Sequence, residues 1–208
     1  MNIPVVYQDD WLLIVDKPQG LLSVPDDFQI NRNLAGILND DLKAKQAVYK
    51  LYPCHRLDRE TSGLIIFAKG KLAQEKMMQM FKAKSVHKQY TAFVHGVLPK
   101  PVGQINYALE GKSALTKYKV VREYGNFSVV EVTPLTGRTN QIRVHFKKIG
   151  HPLVGESKFA FRKDFALRFK RVCLHAGSLM FIHPFTGKQI SLRTDLPVDM
   201  QGFLLKYA

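Results

Sequence analysis

The sequence pattern agrees with an α+β protein, and three observations bear on that fold. Strand-like runs outnumber helical ones along the chain. The few helical stretches are short and amphipathic, and they fall between strands. The 208 residues, 46% of them apolar, are enough to bury one sizeable core. No internal repeat, low-complexity tract or long linker interrupts the chain, so a single domain over 1–208 is expected.

Trp11 to Val15 forms an uninterrupted apolar run of the kind that makes a buried strand. Lys17-Pro18-Gln19-Gly20 then breaks it with turn residues, and Lys17 reads either as a phosphate contact or as a solvated turn lysine. Asn33 fits an N-cap for a short helix with Leu34, Ile37, Leu38 and Leu42 on one face. Leu64 to Ala68 is a second apolar strand. Lys71 to Ser85 is the clearest helix, with Ala73, Met77, Met80 and Phe81 in one stripe, and that stripe reads as core.

Lys88 to Leu98 alternates as a strand, Pro99 to Gly103 is a turn-rich break, and Leu115 to Val121 with Phe127 to Thr133 reads as a hairpin. Residues 137 to 146 fit an extended segment or a helix equally well. If helical, Thr139, Ile142, Arg143 and Phe146 cluster on one side. Arg143, between two apolar residues, needs a carboxylate or phosphate partner either way. Phe161, Phe165 and Phe169 fall at helical spacing in an aromatic and basic stretch. Ser178 to His183 and Gln189 to Arg193 read as a second hairpin closed by Pro184 to Gly187, and Val198 to Lys206 as a terminal helix.

Lysine and arginine number 31 against 17 acids, a formal charge of +14. Such an imbalance favours a polyanionic partner, and basic residues recur beside aromatics, as in Phe159 to Phe165. A membrane surface fits the charge but finds no long amphipathic helix, and no apolar run is long enough to span a bilayer. Met1 to Pro4 lacks the basic head and apolar stretch of a signal peptide, so the expected compartment is the cytoplasm. Cys54 and Cys173 form no disulfide framework or zinc spacing and read as buried thiols.

The most informative run is His55-Arg56-Leu57-Asp58-Arg59-Glu60-Thr61-Ser62-Gly63, a charged loop feeding an apolar strand. Nearby guanidinium groups would keep the Asp58 carboxylate ionised and usable as a nucleophile or base. The residues alone equally allow a surface ion pair or a turn cap.

This run resembles the catalytic motif of the RluA-type pseudouridine synthases. Further stretches resemble that family in its own order: Tyr7 to Asp10 with Val15 to Pro25, Lys88-Gln89-Tyr90, Gly137 to His145, Gly150 to Glu156, and Leu174-His175-Ala176 running on to His183-Pro184. The resemblance, more than the pattern, carries the α+β expectation, and it implies a long mixed, mostly antiparallel sheet with flanking helices and loops and a central cleft. It implies isomerisation of uridine to pseudouridine in structured RNA, a transfer RNA or large-subunit ribosomal RNA stem-loop. No cofactor or metal is implied, no membrane and no obligate protein partner, and the expected state is a monomer.

Residue by residue, the resemblance makes Asp58 the catalytic carboxylate and pairs it with Arg143. Tyr90 would lie against the target base, Arg56 beside the flipped nucleotide, and Arg138 near phosphate. His55 and His145 read as structural. Asn140 stands where many family members carry histidine, which puts the local hydrogen bonding in question. Arg59 and Glu60 occupy the motif's variable positions. No separate small N-terminal RNA-binding domain is apparent. A non-catalytic RNA-binding module on the same fold is the alternative that intact Asp58, Tyr90 and Arg143 argue against. A nuclease or glycosidase would want more clustered carboxylates.

Overall fold

The computed structural model describes residues 2–25, 33–160, 167 and 169–207. Among them the chain is α+β, with ten strands hydrogen-bonded into a sheet and four helices. It divides into two compact units, each discontinuous in sequence: Met1–His87 with Ser178–Thr194, and Lys88–Gly177 with Asp195–Ala208.

In the first unit, β1 (Val5–Gln8), β2 (Leu12–Lys17), β3 (Leu51–Pro53) and β4 (Ser62–Lys69) pair antiparallel, β1 on β2 and both β2 and β3 on β4. β2 and β4 are apolar on both faces because both faces are covered, and Leu12, Ile14, Leu64 and Ile66 are fully buried. Helix α1 (Leu34–Ala44) starts where the sequence places its cap: the Asn33 side chain accepts from the Gly36 amide, 2.9 Å. Helix α2 (Lys71–Lys82) buries Ala73 and Met77 against Leu12, Ile14 and Ile66, with Met80 and Phe81 at the margin.

In the second unit, β5 (His87–His95), β6 (Val102–Asn106), β7 (Leu115–Tyr124) and β8 (Phe127–Pro134) pair in the order β5-β8-β7-β6, all antiparallel. The break after β5 is shorter than the sequence suggests, since β6 already begins at Val102. Gly125, at φ 48°, supplies the positive φ of the β7–β8 hairpin. Residues 141–148 resolve as helix α3 (Gln141–Lys148), not as a strand, packed on β7 and β8 with Ile142 and Phe146 buried.

β9 (Leu174–Ile182) runs through both units and pairs with β10 (Gln189–Arg193) in the expected hairpin. Helix α4 (Val198–Tyr207) packs Met200 and Phe203 against Phe93, Phe127 and Phe169. Phe203 alone contacts four aromatic rings edge-on or tilted, which makes it the centre of this core. The Phe161 and Phe165 spacing lies outside the described residues.

Candidate active site

The Asp58 loop is built from beneath. Lys17 ends β2 and is fully buried, so neither sequence reading of it holds. A buried ammonium needs acceptors, and Nζ donates to the carbonyls of Pro18 (2.9 Å), Leu21 (2.7 Å) and Arg59 (3.4 Å). The Gly20 amide also donates to the Arg59 carbonyl, 2.8 Å, and Arg59 Nε returns a bond to the Gly20 carbonyl, 3.1 Å. Gly20 can serve here because its φ is 81°.

Ser23 completes the clasp. Its hydroxyl donates to the Leu57 carbonyl (2.8 Å) and accepts from the Leu57 amide (3.0 Å). The Thr61 amide closes the turn onto the Asp58 carbonyl, 3.1 Å. The main chain on both sides of Asp58 is therefore pinned. Leu57 points into the core, Asp58 is half-buried, and Arg56 and Arg59 are exposed. His55 Nε2 accepts from the Ile66 amide, 3.1 Å, holding the start of the loop to β4.

A second polar cluster in this unit fixes hairpin ends. His183 Nδ1 accepts from the Phe185 and Thr186 amides, and its Nε2 lies 2.9 Å from Asp9 Oδ2. Asp9 also accepts from the Tyr7 hydroxyl and from the Trp11 and Leu12 amides, and the Trp11 and Phe185 rings stack beside it.

Tyr90, Arg138 and Arg143 belong to the second unit, Asp58 and Arg56 to the first. Tyr90 sits on β5 opposite Val132 and is buried. Arg143, on the first turn of α3, is also buried. Its Nε and Nη2 donate to both oxygens of Glu156 at 2.7 and 2.8 Å, a forked pair with both side chains out of solvent. Nη1 donates to the Asn140 side-chain oxygen, 3.0 Å, and Phe159 lies under the guanidinium, 5.1 Å from its ring centre. Asn140 thus answers the question its position raised. It adopts φ 54°, a left-handed conformation asparagine tolerates, and its amide steadies the arginine.

Burial alone would raise the Glu156 carboxyl, but the Arg143 hydrogen bonds and charge, with the Lys158 and Phe159 amides, outweigh it and hold the carboxyl below its ordinary range. Glu156 is the residue whose role sequence reasoning missed. The available signal was a lone acid closing an apolar, glycine-containing stretch in a basic chain.

Gln141 anchors the segment before α3. Its side-chain oxygen accepts from the Thr136 hydroxyl and the Arg138 amide, while its nitrogen donates to the Leu115 carbonyl and the Thr116 hydroxyl. Arg138 is exposed, with Nε on the Ser113 carbonyl at 3.2 Å. His145 is buried, its Nε2 donates to the Tyr107 carbonyl, and desolvation lowers its pKa. Cys54 and Cys173 are both buried, and burial pushes the Cys54 thiol up to about 12.

Comparison with known proteins bears on this arrangement. The family model described as RNA pseudouridylate synthase matches residues 11–148, which contain the Asp58 loop, Tyr90 and all of α3. The chain is 36% identical to a dual-specificity RNA pseudouridine synthase, RluA, of Pasteurella multocida, over 91% of each protein. It is 35% identical to an RNA pseudouridine synthase of Bacillus subtilis, YlyB, over 96% of this chain and 71% of that protein. Human RNA pseudouridylate synthase domain containing 1 shares the fold at TM-score 0.72 and 26% identity, over 100% of this chain and 96% of that one. Domain containing 4 superposes at TM-score 0.80 over 98% and 92%, with 23% identity. No described helix is long and apolar enough to cross a membrane. Agreement at about a third identity over nearly the whole length, with the pinned acidic loop inside the matched span, settles the assignment: the chain belongs to the RNA pseudouridylate synthase family, whose members are isomerases.

Proposed function

We propose that this enzyme converts uridine to pseudouridine at defined positions of a structured RNA, in the cytoplasm and as a monomer, with Asp58 as its catalytic carboxylate. The observation that carries the reading is the pinned turn, which holds a half-buried Asp58 between two exposed arginines in a protein of charge +14. In the reaction the N1–C1′ bond breaks, the uracil turns, and a C5–C1′ bond forms. The C5 proton leaves to solvent and N1 takes one up. Attack at C1′, attack at uracil C6 and removal of a ribose proton all demand the same thing of the protein: an ionised carboxylate held still beside the sugar.

The remaining roles are those that the family resemblance assigns. By that resemblance Arg143 partners Asp58 and keeps its carboxylate ionised. Tyr90 stacks on the target base. Arg56 offsets the few kcal/mol that extrusion of a base costs, by filling the vacated stack or holding its phosphate. Arg138 contacts phosphate near the pocket. Relatives named as ribosomal large subunit pseudouridine synthases support large-subunit ribosomal RNA as a substrate to try first, and the family resemblance adds transfer RNA stem-loops. Splayed loop bases are the accessible targets in such RNA.

Release of the uracil C5 hydrogen from RNA labelled at that position tests the reading. Asp58→Asn is expected to abolish release while RNA binding stays within severalfold. Equal release by the variant and the parent protein would refute the role of Asp58. Tyr90→Phe is expected to lower turnover more than binding in the same assay; weaker binding at normal turnover would contradict its place against the base.

A further inference from the structure

We propose that Glu156 is the positioning residue for Arg143, and that it hands the guanidinium's orientation over to the main chain of residues 157–159. This rests on the reading that Arg143 partners Asp58. Five donors converge on one carboxylate. Oε2 takes Arg143 Nε at 2.7 Å. Oε1 takes Arg143 Nη2 at 2.8 Å and the amides of Ser157 (3.0 Å), Lys158 (2.8 Å) and Phe159 (3.3 Å). Three successive amides turned onto one oxygen fix that oxygen as firmly as the backbone itself.

The backbone in front of Glu156 is fixed as well. Gly155 has φ 80°, and a Cβ there would collide with the carbonyl of Arg171. Arg171 is in turn forked onto Asp199 at 2.7 and 2.9 Å. The carboxylate is thus held from both sides of its own residue, and the guanidinium is held by the carboxylate, the Asn140 amide and the Phe159 ring.

A purely structural ion pair is the competing account, and the geometry distinguishes the two. Helix α3 keeps its place without Glu156: Gln141 ties its first turn to β7 by two hydrogen bonds and to Thr136 and Arg138 by two more, and Ile142 and Phe146 are buried. Removing the Glu156 charge therefore releases the tip of Arg143 before it releases the helix. A charged group displaced by about 1 Å from its working position costs about 100-fold in rate.

The test uses the full chain and the C5-hydrogen release assay under single-turnover and steady-state conditions. Glu156→Gln is expected to lower kcat about 100-fold with the KM for RNA little changed, and Glu156→Asp, which keeps the charge, to recover part of the loss. In an Arg143→Lys background, Glu156→Gln is expected to cost nothing further, because the group it positions has gone. Parental kcat in Glu156→Gln, or an undiminished loss in the Arg143→Lys background, overturns the proposal. Should Glu156→Gln fail to fold, Arg143→Gln/Glu156→Gln leaves no charge unpaired, and its turnover is expected to equal that of Arg143→Gln alone; a lower value overturns the proposal. Parental turnover in Arg143→Gln would instead sink the Asp58–Arg143 pairing, a result separate from any obtained with Glu156.

Discussion

The Asp58 loop and the Arg143 helix each present a charged side chain, and they are made rigid by opposite means. The loop is held almost entirely through main-chain carbonyls and amides. A buried ammonium, a serine hydroxyl and a glycine amide grip the main chain of residues 57–61. On the helix the charged group itself is gripped, by a carboxylate, an amide and a ring. The first arrangement fixes the backbone from which the carboxylate projects. The second spends much of the guanidinium's charge on orientation. On the proposed reading, a catalytic carboxylate needs a fixed backbone beneath it, while the residue that partners it needs a fixed direction.

The contrast breaks most visibly at Lys17. Lys17→Met keeps the length of the stem but removes the ammonium, leaving the Pro18 and Leu21 carbonyls without their buried donor. Unsatisfied buried acceptors cost about 1–3 kcal/mol each, so a loss of about 3–5 kcal/mol in unfolding free energy is expected. Urea denaturation followed by tryptophan fluorescence measures it through Trp11, the single tryptophan, which stacks on Phe185 in the same unit. A loss below about 1 kcal/mol would mean that Ser23 and Gly20 hold the loop unaided.

Acid sharpens the comparison, because only the helix side depends on a carboxylate for its rigidity. The folded pKa of Glu156 lies below its unfolded value, so its contribution is complete above the unfolded value, about 4.3, and is lost as pH falls through the folded one. Asp199, lowered by its hydrogen bonds from Arg171, behaves in the same sense. In Arg143→Gln the Glu156 share of this acid dependence is expected to vanish. The slope of stability against pH below about 4 should then fall by up to one proton's worth, roughly 1.4 kcal/mol per pH unit. An unchanged slope would show that the three amides alone keep Glu156 ionised.

Much of the loop and less of its support was legible in the sequence. The charged run before an apolar strand marked the turn, and β4, α1 with its Asn33 cap, α2 and the two hairpins follow from periodicity and turn residues. What periodicity could not supply is tertiary satisfaction. Lys17 looks like a turn residue because only the fold brings the Arg59 carbonyl over it. Residues 141–148 fit strand and helix alike until β7 and β8 provide a surface for Ile142 and Phe146. Arg143 announced its need for a partner, but nothing local names a carboxylate 13 residues later. The αL turn at Gly155 that aims it depends on the approach of the Arg171 carbonyl.

The smallest expected effect separates the two designs at the level of single hydroxyls. Ser23 serves the main chain of Leu57 in both directions, whereas Thr136 accepts from the Leu115 amide and donates to the Gln141 side chain. Ser23→Ala should cost about 1–2 kcal/mol, since it orphans one amide and one carbonyl. Its hydrogen-exchange signature should be confined, with the Leu57 amide exchanging faster and the Ile66 amide in central β4 unchanged. Thr136→Ala should instead spread, speeding exchange at Leu115 and at Arg138, because the Gln141 oxygen that holds the Arg138 amide loses its second donor. Equal spread in both variants would mean that the loop, like the helix, is held through side chains acting in series, and that the main-chain clasp beneath Asp58 is not what keeps it still.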